Sequence, residues 1–195
     1  GQPTGQILQQ QETYSSIFIN MKHHHLSILL LFLLGLTASA QTDSINLGNC
    51  TKKVVLYETL DSKNAPGGSA LFYPAETMQK YAGCNITDFV LFPSNWKSIT
   101  SLRVFLSKSL TEPFDYVQEV TLDHGNWVNV RLNTPYVLDG GELYIGYLVK
   151  GTTNLVYTTP KEKGKEYICL GPNKGWQVNE NGYSAALYAV VRDGD

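Results

Sequence analysis

From Lys53 onward the chain is a succession of short segments rich in Val, Ile, Thr, Tyr and Phe, separated by Gly, Pro, Asn and Asp. That punctuation constrains the fold more than any other feature. β-branched and aromatic residues suit a pleated surface, and the intervening residues favour turns. Within the segments the apolar positions alternate. In "SITSLRVFLSKSL", Leu102, Val104 and Leu106 fall on one face, with Arg103 and Ser107 on the other. In "WVNVRL", Val128, Val130 and Leu132 point inward, while Trp127, Asn129 and Arg131 share the opposite face. "ELYIGYLVK" is apolar on both faces, which predicts a central strand, and its Gly146 marks a bulge or a close backbone approach. "SAALYAVVRD" predicts a further buried strand at the C-terminus.

The stretches "NAPGGS", "LFPSN", "LDHGN" and "LDGGE" carry turn chemistry at a spacing close to that of a sandwich. "PAETMQKYAG" is the one helical candidate: Pro74 suits its start, Glu76 its first turn and Gly83 its stop. The expected architecture is therefore all-β, a single antiparallel jelly-roll-like β-sandwich with one short helix near residues 74–82.

The segment from Met21 to Gln41, "MKHHHLSILLLFLLGLTASAQ", has the three parts of a secretory signal peptide: a basic start, an apolar run from Leu26 to Leu36 and the small residues Ala38, Ser39 and Ala40. Cleavage is expected between Ala40 and Gln41. The apolar run falls well short of the roughly 20 residues a membrane-spanning helix needs, so no transmembrane segment is expected in the mature chain. Residues 1–20 precede this start and contain no Met, which suggests an over-extended leader. The domain scheme is thus a leader over 1–20, a signal peptide over 21–40 and a sandwich over 41–195. A secreted, periplasmic or cell-surface location follows.

The balance of 15 Lys and Arg against 17 Asp and Glu gives a net charge of −2, with no basic block to favour nucleic acid. Removal of the signal takes His23, His24 and His25 with it and leaves His124 as the sole histidine. A nucleophile–His triad would need that residue as its base. Yet it lies in "LDHGN", expected to be a hairpin turn, beside Asp123. A glycosidase would need paired carboxylates, and Glu119, Asp139 and Glu142 form no cluster on one strand. No cofactor and no metal motif is implied, although a structural Ca²⁺ held by backbone carbonyls with Asp139 or Asp115 would leave little trace. Export would place Cys50, Cys84 and Cys169 in an oxidising compartment, so a disulfide among them competes with three buried thiols.

"MQKYAGCNITDFVLFP" followed by "GNWVNVRLNTPYVLDGGELYIGYLV" resembles secreted β-sandwich modules common in Bacteroidetes exported and surface proteins. The matching pattern is a short helix ending in Tyr-x-Gly, an Ile-Thr strand, a Gly-x-Trp strand, a Pro bend and a Gly-Gly-Glu-Leu-Tyr-Ile-Gly-Tyr strand. The resemblance implies a jelly-roll or fibronectin-like sandwich and export, and it transfers no catalytic residue.

The remaining signal is aromatic residues in predicted loops. Trp96 beside Asn95 in "PSNWKS", and Trp176 beside Asn173 in "NKGWQVN", place indole faces next to amides. That pairing suits stacking on a sugar ring or anchoring a protein. The competing expectation is that each Trp folds back over the core, and Trp127 is expected to pack beside Arg131 with a cation–π contact. Three classes of function stay open: an exported non-catalytic binding or adhesion module for a surface glycan or cell-surface protein, a secreted carbohydrate-active or proteolytic hydrolase, and a structural surface-assembly subunit.

Overall fold

A computed structural model describes residues 43–161, 165–171 and 175–194, all within the compact unit Thr42–Asp195. The predicted leader and signal, with His23 to His25 and the cleavage pair Ala40 and Gln41, lie outside the described residues.

The strands are β1 (Ile45–Leu47), β2 (Cys50–Asp61), β3 (Gly67–Tyr73), β4 (Asn85–Leu91), β5 (Ile99–Ser107) and β6 (Tyr116–Glu119). They continue with β7 (Val128–Val137), β8 (Leu143–Pro160), β9 (Lys165–Cys169), β10 (Trp176–Val178), β11 (Ser184–Ala185) and β12 (Leu187–Arg192). The helix α1 (Ala75–Met78) runs into a 3-10 turn at Gln79–Tyr81, with Pro74 as its N-cap. The chain leaves this helical stretch at Gly83, whose φ of 86° suits glycine.

Pairing is antiparallel throughout. The smaller sheet has the order β1-β12-β4-β7, and the larger runs β10-β9-β3-β8-β5-β6, with β2 and β11 also on β8. The expected all-β sandwich is thus the observed one. Strand β8 is central, as its two-faced apolar pattern requires. Its first half pairs with β3 and β5, and its second half with β2 and β11. The two halves meet at Gly151, where φ is 125° and a Cβ would stand 2.1 Å from the Ser98 carbonyl oxygen.

The core fills the space between the sheets with Phe89, Leu91, Leu102, Val104, Leu106, Ile145, Leu155, Tyr157 and Leu187, among others. The alternation predicted for β5 and β7 holds for the inward set. The outward set of β5 departs from it: Phe105 is fully buried on the outer face of the large sheet. It joins Ala70 and Leu148 beneath Leu110, Phe114, Tyr144, Tyr167 and Trp176. Residues 108–115 and β10 fold over this face, so the large sheet is apolar on both sides.

Two local expectations change. "LDHGN" is not a hairpin turn: β6 pairs with β5 in the large sheet, whereas β7 pairs with β4 in the small one. The loop crosses between layers because Val120 and Leu122 are drawn against the core. In "NAPGGS", Gly67, Gly68 and Ser69 already belong to β3. The C-terminal stretch also divides, since β11 pairs with β8 and β12 with β4 and β1. Ala186 is the point where the chain changes sheet, its N–H bonded to the Val156 carbonyl.

Candidate functional site: the outer face of the small sheet

The two sheets differ in what covers them. On the small sheet, inward Phe89, Leu91, Leu187, Ala189 and Val191 leave Asp88, Val90, Tyr188, Val190 and Arg192 on the outer face. Strand β7 adds Asn129 and Arg131 to that face, in register with Val90 and Asp88. An open groove of about 400 Å³ crosses it, lined by Asn46, Lys52, Asp88, Trp127, Asn129, Tyr188 and Arg192 among others.

Asp88 is the organising group. It is 5% exposed, and a carboxylate at such a position is costly unless charged or polar partners meet it. Arg131 Nη1 donates to its Oδ2 at 3.1 Å, and Arg192 Nη2 stands 3.9 Å from the same oxygen. Thr87 Oγ1 donates to Oδ2 at 2.6 Å, and Asn129 Nδ2 approaches Oδ1 at 3.4 Å. Arg192 Nε donates to Thr87 Oγ1 at 3.1 Å. The carboxylate therefore fixes two guanidinium groups and an amide whose remaining donors face outward.

Aromatic rings adjoin this network. Trp127 is half-buried, edge-on to Phe92 at 5.7 Å and tilted against Tyr188 at 6.2 Å. The anticipated cation–π contact with Arg131 is replaced by the Arg131–Asp88 pair. Trp96 opens a 3-10 turn at Trp96–Ser98, with Asn95 before it at φ 52°. Its ring lies against Gly125, two residues before Trp127, and Lys97 Nζ stands 5.7 Å from its centroid. Trp96 and Asn95 thus sit at the loop corner beside the small sheet.

Trp176 lies elsewhere. It is in β10 rather than a loop, and packs edge-on to Phe105 at 5.8 Å on the outer face of the large sheet. Ala70 belongs to the same cluster, and the missing side chain of Gly146 leaves room for the Phe105 ring. Asn173 lies outside the described residues.

The three cysteines are free thiols. Cys50 donates to the Leu187 carbonyl, and Cys169 approaches those of Pro66 and Gly171. Cys84 is half-buried beside Asp193. Burial pushes the Cys50 thiol up.

The carboxylates weighed for catalysis or calcium have structural partners. Asp139 pairs with Lys108 and accepts the Gly141 N–H, which holds its carboxyl low. Glu119 meets Ser101 and Arg103, and Asp115 accepts the Lys108 N–H. Glu142 is exposed. Among the described residues no group of three His, Cys, Asp or Glu is placed to hold a metal. His124 and Asp123 pair with each other, but both are exposed and no nucleophile joins them among the described residues.

Sequence reasoning overlooked Asp88, in the apolar stretch "TDFVL", and Tyr188, in a stretch expected to be a buried strand. The available signal was the acid itself. A carboxylate within an apolar strand calls for a partner.

No family model matches the sequence, and no curated protein matches it. A solved structure with a similar chain path comprises the cysteine protease and lectin-like domains of Cwp84, a surface layer associated protein of Clostridium difficile. The TM-score is 0.48 at 11% identity, over 71% of this chain and 36% of that one. Among the described residues no helix is long and apolar enough to cross a membrane.

Proposed function

We propose that the chain is an exported, non-catalytic binding module that holds a surface glycan against the outer face of the small sheet. One observation carries this: Trp127 and Tyr188 share that face with a preset network of Asp88, Arg131, Arg192 and Asn129. Indole and phenol rings stack on the apolar side of a sugar, and fixed planar donors and acceptors bond its hydroxyls. Trp96 and Asn95, at the adjoining corner, extend the same surface.

Binding is favoured over turnover because Glu119 and Asp139, two of the carboxylates a hydrolase would use, are committed to Arg103 and Lys108. Export rests on the signal-like segment Met21 to Gln41.

The test is affinity electrophoresis through gels cast with a panel of neutral polysaccharides. Trp127→Ala and Tyr188→Ala should each weaken retardation about tenfold, the equivalent of about 1.4 kcal/mol. Retardation that survives both substitutions unchanged sinks the assignment.

A further inference from the structure

Beyond β1 the two sheets part and leave a mouth of about 550 Å³. This volume falls within the roughly 300–1,000 Å³ of small-ligand clefts. The mouth shares Asn46 with the groove of the small sheet but opens into the space between the layers. Tyr73, inward at the end of β3, and Tyr81, in the turn after α1, give it aromatic walls. Pro74 turns the chain away at that point, so β3 does not extend to close the gap.

Two kinds of charge face this space. On its inner side is Glu166, in register with Leu71 and only 6% exposed. Its carboxylate accepts the Ala185 N–H at 2.8 Å and hydrogen bonds from Ser184, Asn49 and Asn179. Donors of the protein therefore already occupy it.

At the rim stand Lys80, Lys161 and Lys165, all exposed. Among the described residues none of the three forms an ion pair with a carboxylate. Lys80 Nζ instead stands 4.9 Å from the centroid of the Tyr81 ring. The whole chain carries a net charge of −2. Three ammonium groups without an ion pair among the described residues, around one opening, are therefore a local departure, and a cleft with low-dielectric walls focuses their field.

We infer that this mouth is a second ligand site, separate from the sheet face, that takes an acidic sugar. The anionic substituent meets Lys80, Lys161 and Lys165, the ring lies against Tyr73 and Tyr81, and hydroxyls reach Asn46 and Thr77. Carboxylate and sulfate share this chemistry. The experiment separates them.

The full chain is run through gels containing polygalacturonate, dextran sulfate or uncharged dextran, at low salt and neutral pH. Retardation by one or both polyanions and not by dextran is expected, and the polymer that acts identifies the anionic group. The triple variant K80A/K161A/K165A should weaken retardation at least tenfold, and Tyr81→Ala should weaken it with all the lysines intact. A control triple elsewhere on the surface, K53A/K63A/K150A, should leave it unchanged. These lysines are all exposed, and unaltered thermal melting establishes that each variant is folded.

The inference is overturned if neither polyanion retards the protein, if the rim triple has no effect, or if both triples lose retardation equally. Trp127→Ala should not affect the polyanion gels. Failure of this site and failure of the sheet-face assignment are therefore read separately.

Discussion

Gly146 offers a sharp test of how the large sheet is packed. It lies in the central strand, and a Cβ built there would stand 2.4 and 2.6 Å from Phe105 Cζ and Cε1, and 2.8 Å from the Ser69 carbonyl oxygen. Carbon atoms in contact normally keep about 3.5–4.0 Å, so the ring must retreat by about 1 Å or more. It has nowhere to go. Phe105 is fully buried, and Phe114 stacks on it with centroids 4.1 Å apart. The Ser69 oxygen belongs to a strand paired with β8.

Overpacking of this kind costs about 1–3 kcal/mol. Replacing glycine recovers about 0.4–1 kcal/mol by restricting the unfolded chain. Gly146→Ala should therefore lose about 1–2 kcal/mol in urea unfolding followed by tryptophan fluorescence, with an unchanged m-value. The same loss corresponds to a fall of about 2–8 °C in Tm for a domain of this size. Phe105→Ala alone should cost about 3–5 kcal/mol. In that background the added methyl group no longer meets the ring and keeps only the contact with the Ser69 carbonyl oxygen, so Gly146→Ala should cost clearly less there than in the wild type. Equal costs in the two backgrounds, or a neutral Gly146→Ala in the wild type, would refute the packing account.

Trp176→Ala should lose about 1.5–2.5 kcal/mol, roughly half the cost of a fully buried ring, because the indole covers Phe105; thermal melting reads the loss, and an unshifted midpoint contradicts it. Burial pushes the Glu166 carboxyl above the ordinary value of 4.5, so the folded state holds its proton more tightly than the unfolded state. The resulting stability is whole below the unfolded value and is lost as pH rises through the higher folded one. Urea midpoints should thus carry a component that declines from about pH 4.5 upward, and Glu166→Gln should lack it; parallel curves for the two proteins exclude the effect.

The sandwich itself was legible because a period of two records which side of a strand meets apolar neighbours. Leu102, Val104 and Leu106, and Val128, Val130 and Leu132, are all buried. What covers the other side is not recorded locally. Phe105 shares its face of β5 with Arg103 and Ser107, and its cover comes from Phe114 and from Trp176, 71 positions away in the chain. Turn chemistry has the same limit. Gly125 and Asn126 make a bend after His124, with Asn126 at φ 79°, but the same residues serve a hairpin or a crossing between sheets. For the site, Trp96 was visible as an aromatic residue among loop formers. Tyr188 was not, since only the assembled sheets reveal that its face is left open.

Asp88 and Glu166 are the same kind of departure from strand composition, resolved in opposite ways. Each is a carboxylate within a strand, so each must recover the cost of leaving water. Asp88 points outward and recovers it from Arg131, Arg192 and Thr87, which leaves guanidinium donors fixed on an open face. Glu166 points inward and recovers only part of it, from the Ala185 N–H and nearby side chains, beside the residue where the chain changes sheet. Its partners are spent on holding β9 to β11. The outward carboxylate therefore presents a surface for binding, and the inward one holds the frame of the mouth while the rim lysines form no ion pair among the described residues.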